Sequence, residues 1–200
     1  MSDPAPRQAT YQDVIDAPEH MTAEIWAGEL HLSPRPAYLH QVASSGAGAE
    51  LFSEFGRSGS GRAGGWVILY EPELHLGGHI GEEPTALVLV PDLAGWRKKR
   101  FSPPEAHGHT IVPDWVCEVL SPGSRNIRRD RIQKADLYHR VGVPWLWILD
   151  PAAQTVESYQ REEAGYLRVA AVAGSVEARI PPFDAVAIDL SPWWAGDEEE

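Results

Sequence analysis

Trp115-Val116-Cys117-Glu118-Val119-Leu120 is the stretch on which the fold turns. Side chains of a strand alternate, so Val116, Glu118 and Leu120 share one face and Trp115, Cys117 and Val119 the other. Both faces are apolar apart from one glutamate, the pattern of a strand covered on both sides. Ser121-Pro122-Gly123 ends it. Asn126 to Val141 then reads as a helix, closed by Gly142 and followed by Pro144, which are helix stop signals. Trp145 to Leu149 reads as a second buried strand.

Working outward, Thr10 followed by Asp13 has the form of a capping box and predicts a short helix. Ala23 to Leu32 reads as strand, turn and strand, with the bend at Ala27-Gly28 and an end at Ser33-Pro34-Arg35-Pro36. Leu39, Val42, Leu51 and Phe52 recur at helical spacing over Tyr38 to Phe55, against the helix-weakening Gly46 and Gly48. Arg57 to Gly65 reads as a Gly/Ser linker. Strands are expected at Trp66 to Tyr70, at Glu73 to Leu76 as its partner, and at Thr85 to Leu93. A basic loop covers Arg97 to Gly108. A hairpin over Thr155 to Gln160 and Tyr166 to Val172, then a strand near Val186 to Leu190, complete the chain. The fold class expected is α/β or α+β. Its organisation is an N-terminal arm or short helix (1–20), one domain (21–192) and an acidic tail (193–200).

Two hundred residues at 22.0 kDa leave little room for two domains. The apolar runs Ala86 to Val90 and Trp145 to Leu149 are strand-sized, far below the roughly 20 residues of a membrane helix. Met1-Ser2-Asp3-Pro4 has no basic flank or apolar stretch, so no signal peptide is expected. A single cysteine, Cys117, points to a reducing cytoplasm. The net charge of −12 is unevenly spread. Residues 1–96 carry 4 basic and 13 acidic side chains, 97–140 carry 10 and 5, and 141–200 carry 3 and 11. The basic window is either a solvated helix face or a local anion-facing surface on a repulsive body. The second reading favours weak or transient contact with phosphate.

Several motifs do not hold. Gly59-Ser60-Gly61-Arg62-Ala63-Gly64 spells the dinucleotide fingerprint, but follows a helix and opens a strand, the reverse of what pyrophosphate binding requires. His75, His79, His107 and His109 lack a thiolate pair and read as loop histidines rather than a zinc site. Cys117 points away from Glu118 and reads as a packed thiol.

Three residues break local rules together. Asp92 ends the run Ala86-Leu87-Val88-Leu89-Val90-Pro91, where a carboxylate either forms a turn or needs a cation or hydrogen-bond donors. Glu118 lies inside a buried strand, where an arginine partner is the ordinary explanation. On a wheel of about 100° per residue, Ile127, Leu137, Tyr138 and Val141 form one stripe and Lys134 falls in its middle. Lys134 either snorkels past the stripe or meets a carboxylate beneath it, and the preceding strand offers Glu118. Two carboxylates and an ammonium suit metal-assisted phosphodiester hydrolysis. Asp92 and Glu118, with the Val119 carbonyl, would hold Mg²⁺ (or Mn²⁺). The ion would acidify a water, and Lys134 would orient it or stabilise the transition state. Arg97, Lys98, Lys99, Arg100, Arg125, Arg128 and Arg129 are candidate contacts to flanking phosphates.

These segments resemble the Uma family of restriction-endonuclease-like proteins in the PD-(D/E)xK nuclease superfamily. The resemblance is carried by Val90-Pro91-Asp92-Leu93, by Pro113-Asp114-Trp115 through Glu118-Val119-Leu120-Ser121-Pro122, and by Arg129-Asp130-Arg131 through Lys134 to Tyr138. Gly142-Val143-Pro144, Trp147-Ile148-Leu149-Asp150-Pro151 and the opening from Ala23-Glu24-Ile25 to His40 also fit. The choice of nuclease chemistry leans on this likeness. It implies a mixed sheet flanked by helices, Mg²⁺ dependence and DNA as substrate, with Asp92 and Glu118 as the two acids. The superfamily's lysine two residues after the second acid is replaced by Leu120, and Lys134 on the next helix is the matching residue. Glu73 is a candidate further acid, with a solvated loop glutamate as its other reading; His40 reads as structural. The function implied is a metal-dependent DNA endonuclease. The alternatives are an inactive nuclease-like module that binds nucleic acid or protein, and a phosphodiesterase acting on RNA or a small molecule. Cutting both strands of a duplex suits a twofold homodimer.

Overall fold

The computed structural model describes residues 7–57, 63–79, 87–104, 108–121 and 127–194, without the side chains of 127–132. The fingerprint-like glycines 59–62, His107, Arg125, the Pro122-Gly123 stop and the tail from 195 onward lie outside the described residues. So do the side chains of Arg128 and Arg129.

A six-stranded sheet forms the centre, in the order β10-β9-β8-β7-β6-β3. These strands are β3 (Trp66–Tyr70), β6 (Leu93–Arg97), β7 (Trp115–Val119), β8 (Trp145–Asp150), β9 (Thr155–Glu162) and β10 (Gly165–Ala173). β7 and β8 run parallel, joined across helix α3 (Ile127–Val141), and the other neighbours are antiparallel. The alternation read in β7 is what the sheet uses. Trp115, Cys117 and Val119 enter one core with Trp66, Trp147 and Leu149, while Val116 enters a second with Leu146 and Ile148. The first core is covered by α2 (Tyr38–Leu51), which continues as a π-helical turn over Phe52–Gly56, and by the C-terminal segment. Phe183 anchors that segment, with its ring 4.7 to 5.3 Å from those of Trp66, Trp115 and Trp147. The second core is covered by Leu137, Tyr138 and Val141 of α3 and by a smaller sheet.

That smaller sheet has the order β2-β1-β5-β4, built from β1 (Met21–Trp26), β2 (Glu29–Pro34), β4 (Leu74–His75) and β5 (Val88–Leu89). Ala27 and Gly28 both take positive φ, 53° and 76°, as a tight two-residue hairpin turn demands. Thr10 caps α1 (Tyr11–Ile15), its N–H donating to Asp13 Oδ2 at 2.7 Å. A short pair, β11 (Glu177–Ala178) and β12 (Ile188–Asp189), follows, and then a 3-10 turn over Ser191–Trp193.

Three expectations are corrected. The expected strand 85–93, described from residue 87 onward, is not continuous there: it breaks at Asp92, so β5 joins the small sheet and β6 the large one. The partner of β3 is therefore β6, and Leu74–His75 pairs with β5. Gly46 and Gly48 do not weaken α2 but let it pack closely. A Cβ on Gly46 would stand 2.6 Å from the Pro192 carbonyl oxygen, and one on Gly48 would strike the Tyr70 ring. Gly46→Ala is expected to destabilise the protein by about 1–3 kcal/mol despite the better helix propensity of alanine, because backbone cannot yield. Gly48→Ala meets only the end of a half-exposed side chain and is expected to cost less. Thermal unfolding of the two variants checks the order.

Candidate functional site

Asp92 sits at the chain break between β5 and β6, where its carbonyl accepts the Glu71 N–H at 3.0 Å. Its Oδ2 accepts the Val119 N–H at 2.7 Å, and its Oδ1 lies 2.9 Å from His40 Nε2 on α2. The side chain is thereby fixed against the end of β7. Glu118 extends from the opposite side of β7 to Cys117 and meets α3. Its Oε1 accepts the Tyr138 hydroxyl at 2.6 Å and lies 2.8 Å from Lys134 Nζ. Lys134 also lies 3.0 Å from Oε1 of Glu24 on β1, and that same oxygen accepts the Val90 N–H at 2.8 Å. Lys134 is one turn from Leu137 and Tyr138, so packing α3 on the sheet drives its ammonium inward, where two carboxylates receive it.

The charges here are largely withdrawn from water: the Lys134, Glu118, Asp92 and Glu24 side chains are 12%, 18%, 16% and 9% exposed. Burial pushes the Glu118 carboxyl up to about 7; the Lys134 charge opposes this, and the negative charges of Asp92 and Glu24 add to it. Burial alone would depress the Lys134 ammonium, but Glu118 and Glu24 override it and the net shift is upward. His40 follows the same pattern: burial lowers it, and its bond to Asp92 wins. Tyr138 is held well above its ordinary value by burial and the adjacent Glu118 charge.

Glu24, His40, Asp92, Glu118 and Lys134 line a recess of about 730 Å³ whose other walls are the β1–β2 hairpin, the start of α2 and the end of β7. The donor set is carboxylate oxygen, and Cys117 faces the opposite core, so the residues fit a hard cation rather than a thiolate-bound one. Glu118 titrates high because it is buried, with the negative charges of Asp92 and Glu24 adding to the shift, and a divalent cation would relieve that added repulsion. Among the described residues no group of three or more His, Cys, Asp or Glu side chains converges into a ready-made metal cage. Magnesium, which keeps several waters, is usually bound by one or two carboxylates.

Other expected residues lie elsewhere. Glu73 is not in the recess: its Oε1 accepts the Tyr11 hydroxyl at 2.8 Å and lies 2.6 Å from His75 Nε2. Glu71 lines the recess instead. Arg97, Lys98, Lys99 and Arg100 are exposed at the far end of β6, about 17 Å along the strand from Asp92 at roughly 3.4 Å per residue. Arg97 lies over the Trp66 ring and Arg100 pairs with Asp114, so that loop serves its own end of the sheet. Glu24 was missed. Its signal is a glutamate that shares a strand face with Trp26 in Thr22-Ala23-Glu24-Ile25-Trp26.

A mixed central sheet with helices on both faces and acids at adjoining strand ends is the restriction-endonuclease-like architecture. The Uma2 family model, described as "Putative restriction endonuclease", matches residues 9–191, and the chain belongs to that family. A crystal structure of a "putative nuclease belonging to DUF820" from Anabaena variabilis shares the fold. Its TM-score is 0.69 at 18% identity, covering 92% of this chain and 97% of that one. No curated protein matches the sequence. Among the described residues no helix is long and apolar enough to cross a membrane.

Proposed function

We propose that the protein is a metal-dependent DNA endonuclease whose site is Asp92, Glu118 and Lys134, with Glu24 as a positioning residue. The observation that carries this reading is the Lys134 ammonium lying within 3.0 Å of both Glu118 and Glu24 in the recess that Asp92 also lines. Asp92 and Glu118, with the Val119 carbonyl, are the residues to hold Mg²⁺ or Mn²⁺. The bound ion would supply Lewis-acid polarisation of the scissile phosphate and a water of lowered pKa. An ammonium has three donors. Two are spent on Glu118 and Glu24, and the third is left for a phosphate oxygen or the attacking water. Because both partners fix it, the cation is in place before charge develops, which is the arrangement that stabilises a transition state at least cost. Glu24 keeps the amine charged and aimed, and His40 holds Asp92.

The test is incubation of the purified protein with supercoiled plasmid and Mn²⁺ or Mg²⁺. EDTA-sensitive nicking, lost in Asp92→Ala, is expected. Nicking that survives in Asp92→Ala, or no Mn²⁺ binding by calorimetry, would overturn the assignment.

A further inference from the structure

Resting on that reading, we propose that the recess takes an unpaired nucleic-acid strand, a base of which stacks on His31, rather than an intact duplex. The β1–β2 hairpin turns one face into the recess. In its register Thr22 pairs with Ser33, Glu24 with His31 and Trp26 with Glu29, and all but Glu29 line the cavity. Trp26, only 7% exposed, carries the His31 ring flat against it, with centroids 3.4 Å apart and planes within 5°. His31 Nε2 lies 3.3 Å from the Trp26 carbonyl, which fixes the ring further. His31 itself stays partly exposed, so the stack ends in an aromatic surface beside the acids. It is already one layer deep and wants a planar third member.

The charges of the described residues agree. Apart from Lys134, which the acids hold, the exposed Arg35 is the only arginine or lysine lining the recess among the described residues. The basic 97–100 loop stands at the other end of the sheet. Binding to duplex rests on neutralising many phosphates, whereas unpaired strands are held by stacking, which needs base faces that a duplex hides. A volume of 730 Å³ falls within the range of about 300–1,000 Å³ that encloses one small ligand. That suits a nucleotide or two. Two buried polar atoms of lining residues, Trp26 Nε1 and His40 Nδ1, have no hydrogen-bond partner.

Fluorescence anisotropy with labelled oligothymidylate and a duplex of matched length, in Ca²⁺, tests this. The single strand is expected to bind at least tenfold more tightly. His31→Ala is expected to weaken single-strand binding about tenfold, the effect of losing one stacked base, and His31→Phe to restore it. The salt slope is expected near one or two phosphates, about −0.7 each, and Arg35→Ala to remove one of them. Equal binding of the two forms overturns the inference, as does His31→Ala without effect or a slope of four or more phosphates. Should Mn²⁺ drive cleavage of linear duplex by a protein that binds both forms alike, this inference falls while the nuclease reading stands. Should His31-dependent single-strand binding come with no cleavage of any DNA, the recess stands and the nuclease reading falls.

Discussion

Glu118→Gln is expected to lower Mn²⁺-dependent DNA cleavage by about 10³-fold, roughly 4 kcal/mol of transition-state stabilisation, with no loss of folding stability. The amide is nearly isosteric and its oxygen still accepts from Tyr138 and Lys134, so the packing of α3 on β7 survives. What goes is one negative charge, and with it a strong ligand for a hard cation. Stability should hold or rise slightly. The wild-type carboxyl, pushed up to about 7, is ionised at a cost because it is buried, and Asp92 and Glu24 add to that cost. Cleavage assays, calorimetric Mn²⁺ titration and thermal unfolding on one preparation separate these effects. A variant that unfolds early, or that cuts at the wild-type rate, contradicts the assignment.

The two-sided burial of β7 and the amphipathic stripe of α3 were legible because they depend on periodicity alone. Lys134 stood out for the same reason: a charge inside an apolar stripe is anomalous whatever lies beneath it. What lay beneath was only half legible. Glu118 is close in sequence, but Glu24 is 110 residues upstream, and no local rule ties a hairpin glutamate to a distant lysine. The split at Pro91-Asp92 escaped notice because the apolar run is continuous. The break is imposed by two different sheets claiming its two halves. Residues 97–100 of the basic window lie away from the recess, which counting charge along a chain misses because it ignores direction. β6 runs away from Asp92, so Asp92 and Arg97, close in sequence, stand at opposite ends of that strand. Gly46 looks like a helix weakener until the Pro192 carbonyl is seen against it.

Lys134→Met tests the electrostatics of the same site in the other direction. Removing one partner of a buried ion pair leaves the remaining charge uncompensated, which costs about 3–5 kcal/mol. Here two carboxylates, Glu24 and Glu118, lose the cation that both contact. The loss should depend on pH, with a definite sign. Glu118 binds its proton more tightly in the folded protein than at its ordinary value of 4.5, so its contribution favours folding at low pH and is lost as pH rises through about 7. Without Lys134 the folded value moves higher still. The variant should therefore melt well below the wild type at pH 8 and approach it near pH 5, as Glu118 takes up a proton and the repulsion with Glu24 disappears. Mg²⁺ offers a second route to the same relief: if Asp92 and Glu118 hold the ion, adding it at pH 8 should raise the melting temperature of Lys134→Met more than that of the wild type. Cleavage should stay lost, because restoring neutrality does not return the donor to the phosphate. A stability gap that is flat from pH 5 to 8 would mean that Lys134 is not the counter-charge of Glu118 in solution.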